Sequence, residues 1–131
     1  MNINELFSPG ALNLAHRKAQ EALDAGMGIK AAVLATVDGF AVASAVSDGA
    51  DPARIAALAS SIASIGSVAT QEAGLGRLTN LVLNTESGFA VVRQFVLEGR
   101  ELVLILVADG SSLLAQVMYQ ANQLSKELVA A

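Results

Sequence analysis

Six consecutive apolar residues, Leu102-Val103-Leu104-Ile105-Leu106-Val107, lie between Glu101 and Ala108. A strand with one wet face alternates apolar and polar side chains. This one does not, so it is expected at the centre of a sheet, covered on both faces. The chain therefore needs helices on both sides of that sheet, and helical spacing occurs in three places. From Ala11 to Ala25, the residues Leu12, Ala15, Ala19, Ala22 and Leu23 recur on one side, with Arg17, Lys18, Glu21 and Asp24 on the other. Pro9 suits the start of this helix, and Gly26 and Gly28 its end. Asp51 followed by Pro52 reads as an N-cap with proline at the first helical position, opening a second helix that stops near Gly74-Leu75-Gly76. Asp109-Gly110-Ser111 caps a third, which runs to about Val129. Its expected buried stripe is Leu113, Val117, Ala121, Leu124 and Leu128, widened by Leu114, Met118 and Tyr119.

Strands fill the intervals. Ile29 to Val37 and Phe40 to Val46 flank Asp38-Gly39, the dipeptide suited to a two-residue type I′ hairpin turn. Leu78 to Thr85, Phe89 to Leu97 and Glu101 to Ala108 are separated by Glu86-Ser87-Gly88 and Glu98-Gly99-Arg100, which makes them an antiparallel meander. Residues 1–10 read as an N-terminal arm or a first turn, and residues 11–131 as a single domain. The expected fold is α/β: a three-layer α-β-α sandwich, its five-stranded, mainly antiparallel sheet carrying one helix on one face and two on the other.

The middle helix is unusual. Between Ile55 and Gln71 there is no ionisable side chain. Ile55, Leu58, Ile62, Ile65 and Ala69 form one stripe, expected to pack on the sheet. Ala56, Ala59, Ala63, Gly66 and Thr70 form a second, and Ala53, Ala57, Ser60, Ser64 and Ser67 a third. A helix covering a one-sided core carries charge on its outer face; alanine and serine there imply that something else covers it. One helix is also narrow for a whole sheet face, and a second copy beside it would complete the layer. Small residues let two backbones come close. The strand after this helix agrees, because Thr79-Asn80-Leu81-Val82-Leu83-Asn84 has no lysine or proline to protect a sheet edge. Such an edge invites pairing with its symmetry mate; the alternative is an edge that is short, twisted or covered by a loop.

Composition narrows the function. A net charge of −4 and a pI near 4.8 argue against a phosphate-backbone partner. Without cysteine there is neither a disulfide framework nor thiolate chemistry. Met1 to Gly10 has no basic or apolar signal-peptide region. The charge-free run is too rich in serine and alanine for the ~20 strongly apolar residues of a membrane span. The expectation is a cytoplasmic protein without membrane insertion.

Catalytic signals are weak. His16 is the only histidine, and no triad or metal-ligand pattern surrounds it. Gly74-Leu75-Gly76 leaves a helix rather than opening one and no P-loop lysine follows, so it is not a phosphate loop. Arg54 and Arg77 bracket the middle helix. An arginine supplied in trans can stabilise phosphoryl transfer, but a solvated first-turn residue and a loop anchor account for these two more simply. Arg93 interrupts the apolar alternation of Phe89, Val91, Phe95 and Leu97; it either snorkels or pairs with Glu98 or Glu101. No cofactor, metal or catalytic residue is assigned, and the chain reads as a non-enzyme.

Three stretches carry a family likeness. The first is Ala32-Val33-Leu34-Ala35-Thr36-Val37-Asp38-Gly39-Phe40-Ala41-Val42-Ala43-Ser44. The second is Ala57-Leu58-Ala59-Ser60-Ser61-Ile62-Ala63-Ser64-Ile65-Gly66, leading into Glu72-Ala73-Gly74-Leu75-Gly76. The third is Asp109-Gly110-Ser111-Ser112-Leu113-Leu114. In this order and spacing, over about Ala11 to Val129, the chain resembles the dynein-light-chain roadblock family in its compact bacterial form.

The resemblance implies a roadblock/profilin-like fold and a homodimer with a sheet continuous across both subunits. Its expected interface is Ala59, Ile62, Ala63, Gly66 and Thr70 on the middle helix, with Thr79, Leu81 and Leu83 on the edge strand. It also implies that the paired helices form a platform for a small Ras-like GTPase or another assembly partner. The platform residues would be Arg54, Ala57, Ser60, Ser61, Ser64, Ser67 and Arg77. Family members act as scaffolds or GTPase regulators and bind no nucleotide themselves. The alternative is a structural, self-assembling or polar scaffold without a GTPase. A weaker third reading is a sensory module with a ligand between sheet and helix, for which the sequence offers no convergent polar groups.

Overall fold

A computed structural model describes residues 2–47 and 49–131. The elements run α1 (Ile3–Leu6), α2 (Pro9–Asp24), β1 (Ile29–Thr36), β2 (Ala41–Val46), α3 (Pro52–Glu72), β3 (Asn80–Asn84), β4 (Gly88–Leu97), β5 (Arg100–Asp109) and α4 (Leu114–Ala130). The five strands form one sheet in the order β2-β1-β5-β4-β3, each neighbouring pair antiparallel. The all-apolar strand β5 is central, as its sequence requires. Leu102, Leu104 and Leu106 are buried beneath α2 and α4, while Val103 and Ile105 are buried beneath α3. The three-layer sandwich, with two helices on one face and one on the other, follows directly from this division.

Pro9 and Pro52 open α2 and α3 as the sequence reading expects, with Ser8 an N-cap that reading does not name. Ser8 Oγ accepts from the Ala11 N–H at 3.2 Å and Asp51 Oδ1 from the Ala53 N–H at 3.0 Å, each satisfying a donor the helix start leaves free. At the far end of α3, the Leu75 N–H donates to the Thr70 carbonyl and the Gly74 N–H to that of Gln71, the paired bonds of a Schellman turn. At α4 the expectation needs correction. Leu113 occupies the N-cap position and is 61 % exposed, so the buried stripe begins at Val117; Tyr119 is exposed as well. The Asp109 carboxylate instead closes the preceding turn by accepting from the Ser111 N–H at 2.9 Å. The two hydrogen bonds from Ser111 hold it below the ordinary aspartate range.

Two hairpin turns exchange roles relative to the sequence reading. At Asp38-Gly39, Gly39 has φ +96° but Asp38 has no positive φ, which a type I′ turn requires at both central residues. The connection is a three-residue one: the Gly39 N–H donates to the Thr36 carbonyl at 3.0 Å and the Thr36 N–H to that of Phe40 at 2.9 Å. Glycine is needed twice over here, since a Cβ at Gly39 would also stand 3.3 Å from Ala57 Cα on α3. Both central residues have positive φ at Glu98-Gly99 instead, 51° and 78°, which joins β4 to β5 by two residues. Glu98 is held there by α2, whose Ser8 donates from its N–H at 2.9 Å and its hydroxyl at 2.8 Å. These bonds lower the Glu98 pKa from its ordinary value. The segment read as an arm or first turn contains α1, and Phe7 after it is buried in the core beneath α2 and α4.

Candidate functional site

The candidate site is built around α3, and its geometry begins with side-chain size. The sheet face below the helix presents Val33, Val92, Val103 and Ile105. Branched side chains on the sheet leave room only for small ones on the helix, so Ala56, Ala59, Ala63 and Gly66 form the buried underside. A Cβ at Gly66 would stand 3.1 Å from Leu78 Cδ2. Ser60 is buried among them, its hydroxyl donating to the Thr36 carbonyl at 2.7 Å and the Ala56 carbonyl at 3.0 Å. The bond to Thr36 ties this face of the helix to β1.

The rotation reverses the stripe assignment made from sequence. The Ile/Leu stripe does not pack on the sheet; it faces outward. Leu58 is 56 % exposed, Ile65 71 % and neighbouring Val68 60 %, with Ala69 also exposed. Ile55 and Ile62 sit on the shoulder, half-buried. Helical periodicity defines stripes but not which one meets the sheet, and volume matching favours the small one.

Several site residues move accordingly. Ala59, Ala63 and Gly66, assigned from sequence to a dimer interface, are buried under α3 within the protomer and offer nothing to a second copy. Ser60, assigned to a partner platform, is likewise part of the core. Of the remaining interface residues, Ile62 and Thr70 are half-buried, Leu81 is half-buried, and Thr79 and Leu83 are exposed. Of the platform residues, Arg54, Ala57, Ser61 and Ser64 are exposed, while Ser67 donates to Gln94 Oε1 at 3.1 Å. Arg77 lies 3.8 Å from the Glu101 carboxylate with both side chains largely exposed, a weak surface ion pair. Arg93 pairs with neither glutamate. Its Nε donates to Ser125 Oγ at 2.9 Å and its Nη1 to Asn80 Oδ1 at 3.2 Å.

The exposed stripe adjoins unfinished sheet. Leu83, Ala90 and Val107 line a groove of about 300 Å³, with Lys30 at its margin, that α3 does not fill. β3 is an outermost strand, paired to β4 in regular register without a bulge and free along its other side. Large apolar side chains on α3, a groove on the sheet face that α3 covers only in part, and a regular free edge are each features suited to protein association. Among the described residues no group of carboxylates, histidine and cysteine could hold a metal ion. His16 is exposed on α2. By length and composition α3 could cross a membrane, but here its alanine face and Ser60 dock it on the sheet.

The Roadblock/LC7 domain family model matches residues 17–94. No curated protein sequence matches the chain significantly. Among solved structures, one described as MglB with a tetrameric arrangement superposes with a TM-score of 0.78 at 21 % identity, covering 95 % of this chain and 91 % of that one. The gliding protein MglB from Thermus thermophilus gives 0.78 at 21 % identity, covering 95 % and 92 %. A Roadblock/LC7 domain from Streptomyces avermitilis gives 0.76 at 22 % identity, covering 86 % and 92 %. At these identities the likeness is one of fold. No catalytic family is indicated by any of these matches.

Proposed function

Because the chain belongs to the Roadblock/LC7 domain family, we propose that it is a non-enzymatic, homodimeric scaffold or regulator that acts on a small Ras-like GTPase. The observation that carries this reading is the outward turn of Leu58, Ile65 and Val68 on the single helix of an incompletely covered sheet face. Leaving three large apolar side chains of one helix in water forgoes roughly 1.5–3 kcal/mol each relative to burying them. A second α3 alongside the first covers them and completes the layer. The exposed Arg54, Ala57, Ser61 and Ser64, together with Arg77, are the surface proposed for the GTPase. The same reading puts the protein in the cytoplasm, where such a partner is found.

Two measurements test it in sequence. Sedimentation is expected to give a dimer at micromolar concentration, and a stable monomer would remove the basis of the proposal. Capture of purified Ras-like GTPases on the immobilised chain, with GTP or GDP, is then expected to depend on nucleotide. A second reading is a self-assembling scaffold without a GTPase; the fold likeness to an MglB of tetrameric arrangement bears on its assembly beyond the dimer alone. Assembly beyond the dimer, with no GTPase captured in either nucleotide state, would establish that reading instead.

A further inference from the structure

On the α4 side of the sheet, one residue breaks the pattern of its strand. Arg93 stands in β4 between Val91 and Phe95, both buried on that face, and opposite Leu104 of β5 and Asn80 of β3. An apolar side chain there would continue the core. The arginine is half-buried instead, at the margin where α4, lying over β4 and β5, gives way to the outermost strand β3.

Its neighbours hold the guanidinium in place without neutralising it. Arg93 Nε donates to Ser125 Oγ at 2.9 Å, and the Ser125 hydroxyl donates in turn to the Asn122 carbonyl at 2.9 Å, so α4 sets its orientation. Arg93 Nη1 donates to Asn80 Oδ1 at 3.2 Å. Both acceptors are uncharged. The ion pairs among the described residues join Lys18 to Glu21 and Glu127, and Arg77 to Glu101; none includes Arg93. The chain has 12 acidic residues against 8 basic ones, yet among the described residues no carboxylate is placed here. A guanidinium carries five N–H donors, so three of them have no acceptor among the described residues.

Taking a cation partly out of water is costly unless an opposite charge repays it. The two neutral acceptors answer two hydrogen bonds and leave the charge, together with donors already oriented. What the site lacks is an anion. One half-buried cation balances one carboxylate, whose two oxygens match the planar fork of an arginine. A phosphate dianion brings a second charge into the same partly dehydrated place, in a chain whose net charge is already −4. The surroundings suit a protein. Asn80 and Asn122 are half-buried and Asn84 is exposed, so this open margin offers carboxamides to a polypeptide beside the guanidinium.

We propose that Arg93 is the receptor for an aspartate or glutamate side chain of a protein partner seated on the margin between α4 and β3. The site lies on the opposite face of the sheet from α3 and does not depend on the self-association proposed above. The Arg93 Nε–H signal in proton–nitrogen NMR spectra of the unaltered chain reports on it directly. The probe is N-acetyl-glycyl-aspartyl-glycinamide, which has a single carboxylate. It is expected to shift that signal saturably with a Kd on the order of 10 mM, whereas the asparaginyl peptide leaves it in place. The saturable shifts at Asn80 and Asn122 are expected to vanish in Arg93→Gln. Equal displacement by the two peptides, or none by the aspartyl peptide up to its solubility, would overturn the proposal; this contrast needs no variant. Saturable binding retained in Arg93→Gln would overturn it too, by placing the site elsewhere. Inorganic phosphate is the remaining arm, and tighter binding than the aspartyl peptide's at Arg93 would overturn the choice of a carboxylate.

Discussion

The two faces of the sheet are finished differently. On one, α2 and α4 lie side by side, and Leu102, Leu104, Leu106, Val117, Leu124 and Leu128 close into a core. Lys18 of α2 bridges to Glu21 and to Glu127 of α4, and Ser8 grips Glu98 at the β4–β5 turn, so polar contacts tie this layer at its surface. On the other face α3 lies alone, apolar below and apolar above. The first face is complete within one chain. The second is covered by one helix only, and the difference marks where the association proposed above would take place.

The comparison can be broken most forcefully from beneath α3. Ala59→Asp puts an unpaired carboxylate where the parent side chain is fully buried. The expected loss exceeds about 4 kcal/mol, read as a chain that is unfolded or molten by near-UV circular dichroism. On the complete face, Leu104→Ala opens a cavity in the central strand and is expected to lower unfolding free energy in urea by about 2–5 kcal/mol. A smaller value would mean that the core relaxes around the site.

Ile65→Asp sharpens the contrast between the two sides of the same helix. Because Ile65 is exposed, folding of the isolated protomer should change by no more than about 0.5 kcal/mol, while sedimentation should report loss of the dimer proposed above. Unfolding instead of dissociation would show that the outer stripe supports the protomer itself.

The smallest effect concerns the clasp on the complete face. Ser8 holds the folded-state pKa of Glu98 below its ordinary 4.5. The clasp's contribution is therefore present above about pH 4.5 and lost as pH falls through the lower, folded-state value. Glu98→Gln should flatten this part of the acid limb in urea midpoints measured against pH, and leave the midpoint above neutrality little changed. An unchanged acid limb would assign that dependence to other carboxylates, such as Asp109, held low by Ser111.

Much of this was legible in the residues. The run Leu102 to Val107 required a covered central strand, Asp51-Pro52 and Pro9 opened helices, and the meander needed only its short turns. Asp38-Gly39 has the composition of a type I′ turn, yet Gly39 must clear Ala57 on α3, and the hairpin takes a longer connection. Arg93 had glutamates within sequence reach, but its strand faces α4, where Ser125 receives it. Leu113 continued a helical period past the point where the helix starts. For Arg93 the deciding neighbour comes from another element.

The sequence by itself determined the elements from α2 onward, their order, the three layers and an α3 unlike an ordinary surface helix, because periodicity and capping are local properties of the chain. Only the tertiary structure decided which stripe of α3 is the inside. That choice depends on the volumes presented by β1, β4 and β5, and against their valines and isoleucine the alanines go down. Leu58 and Ile65 are left facing out, while Ile55 and Ile62 stay half-buried at the shoulder.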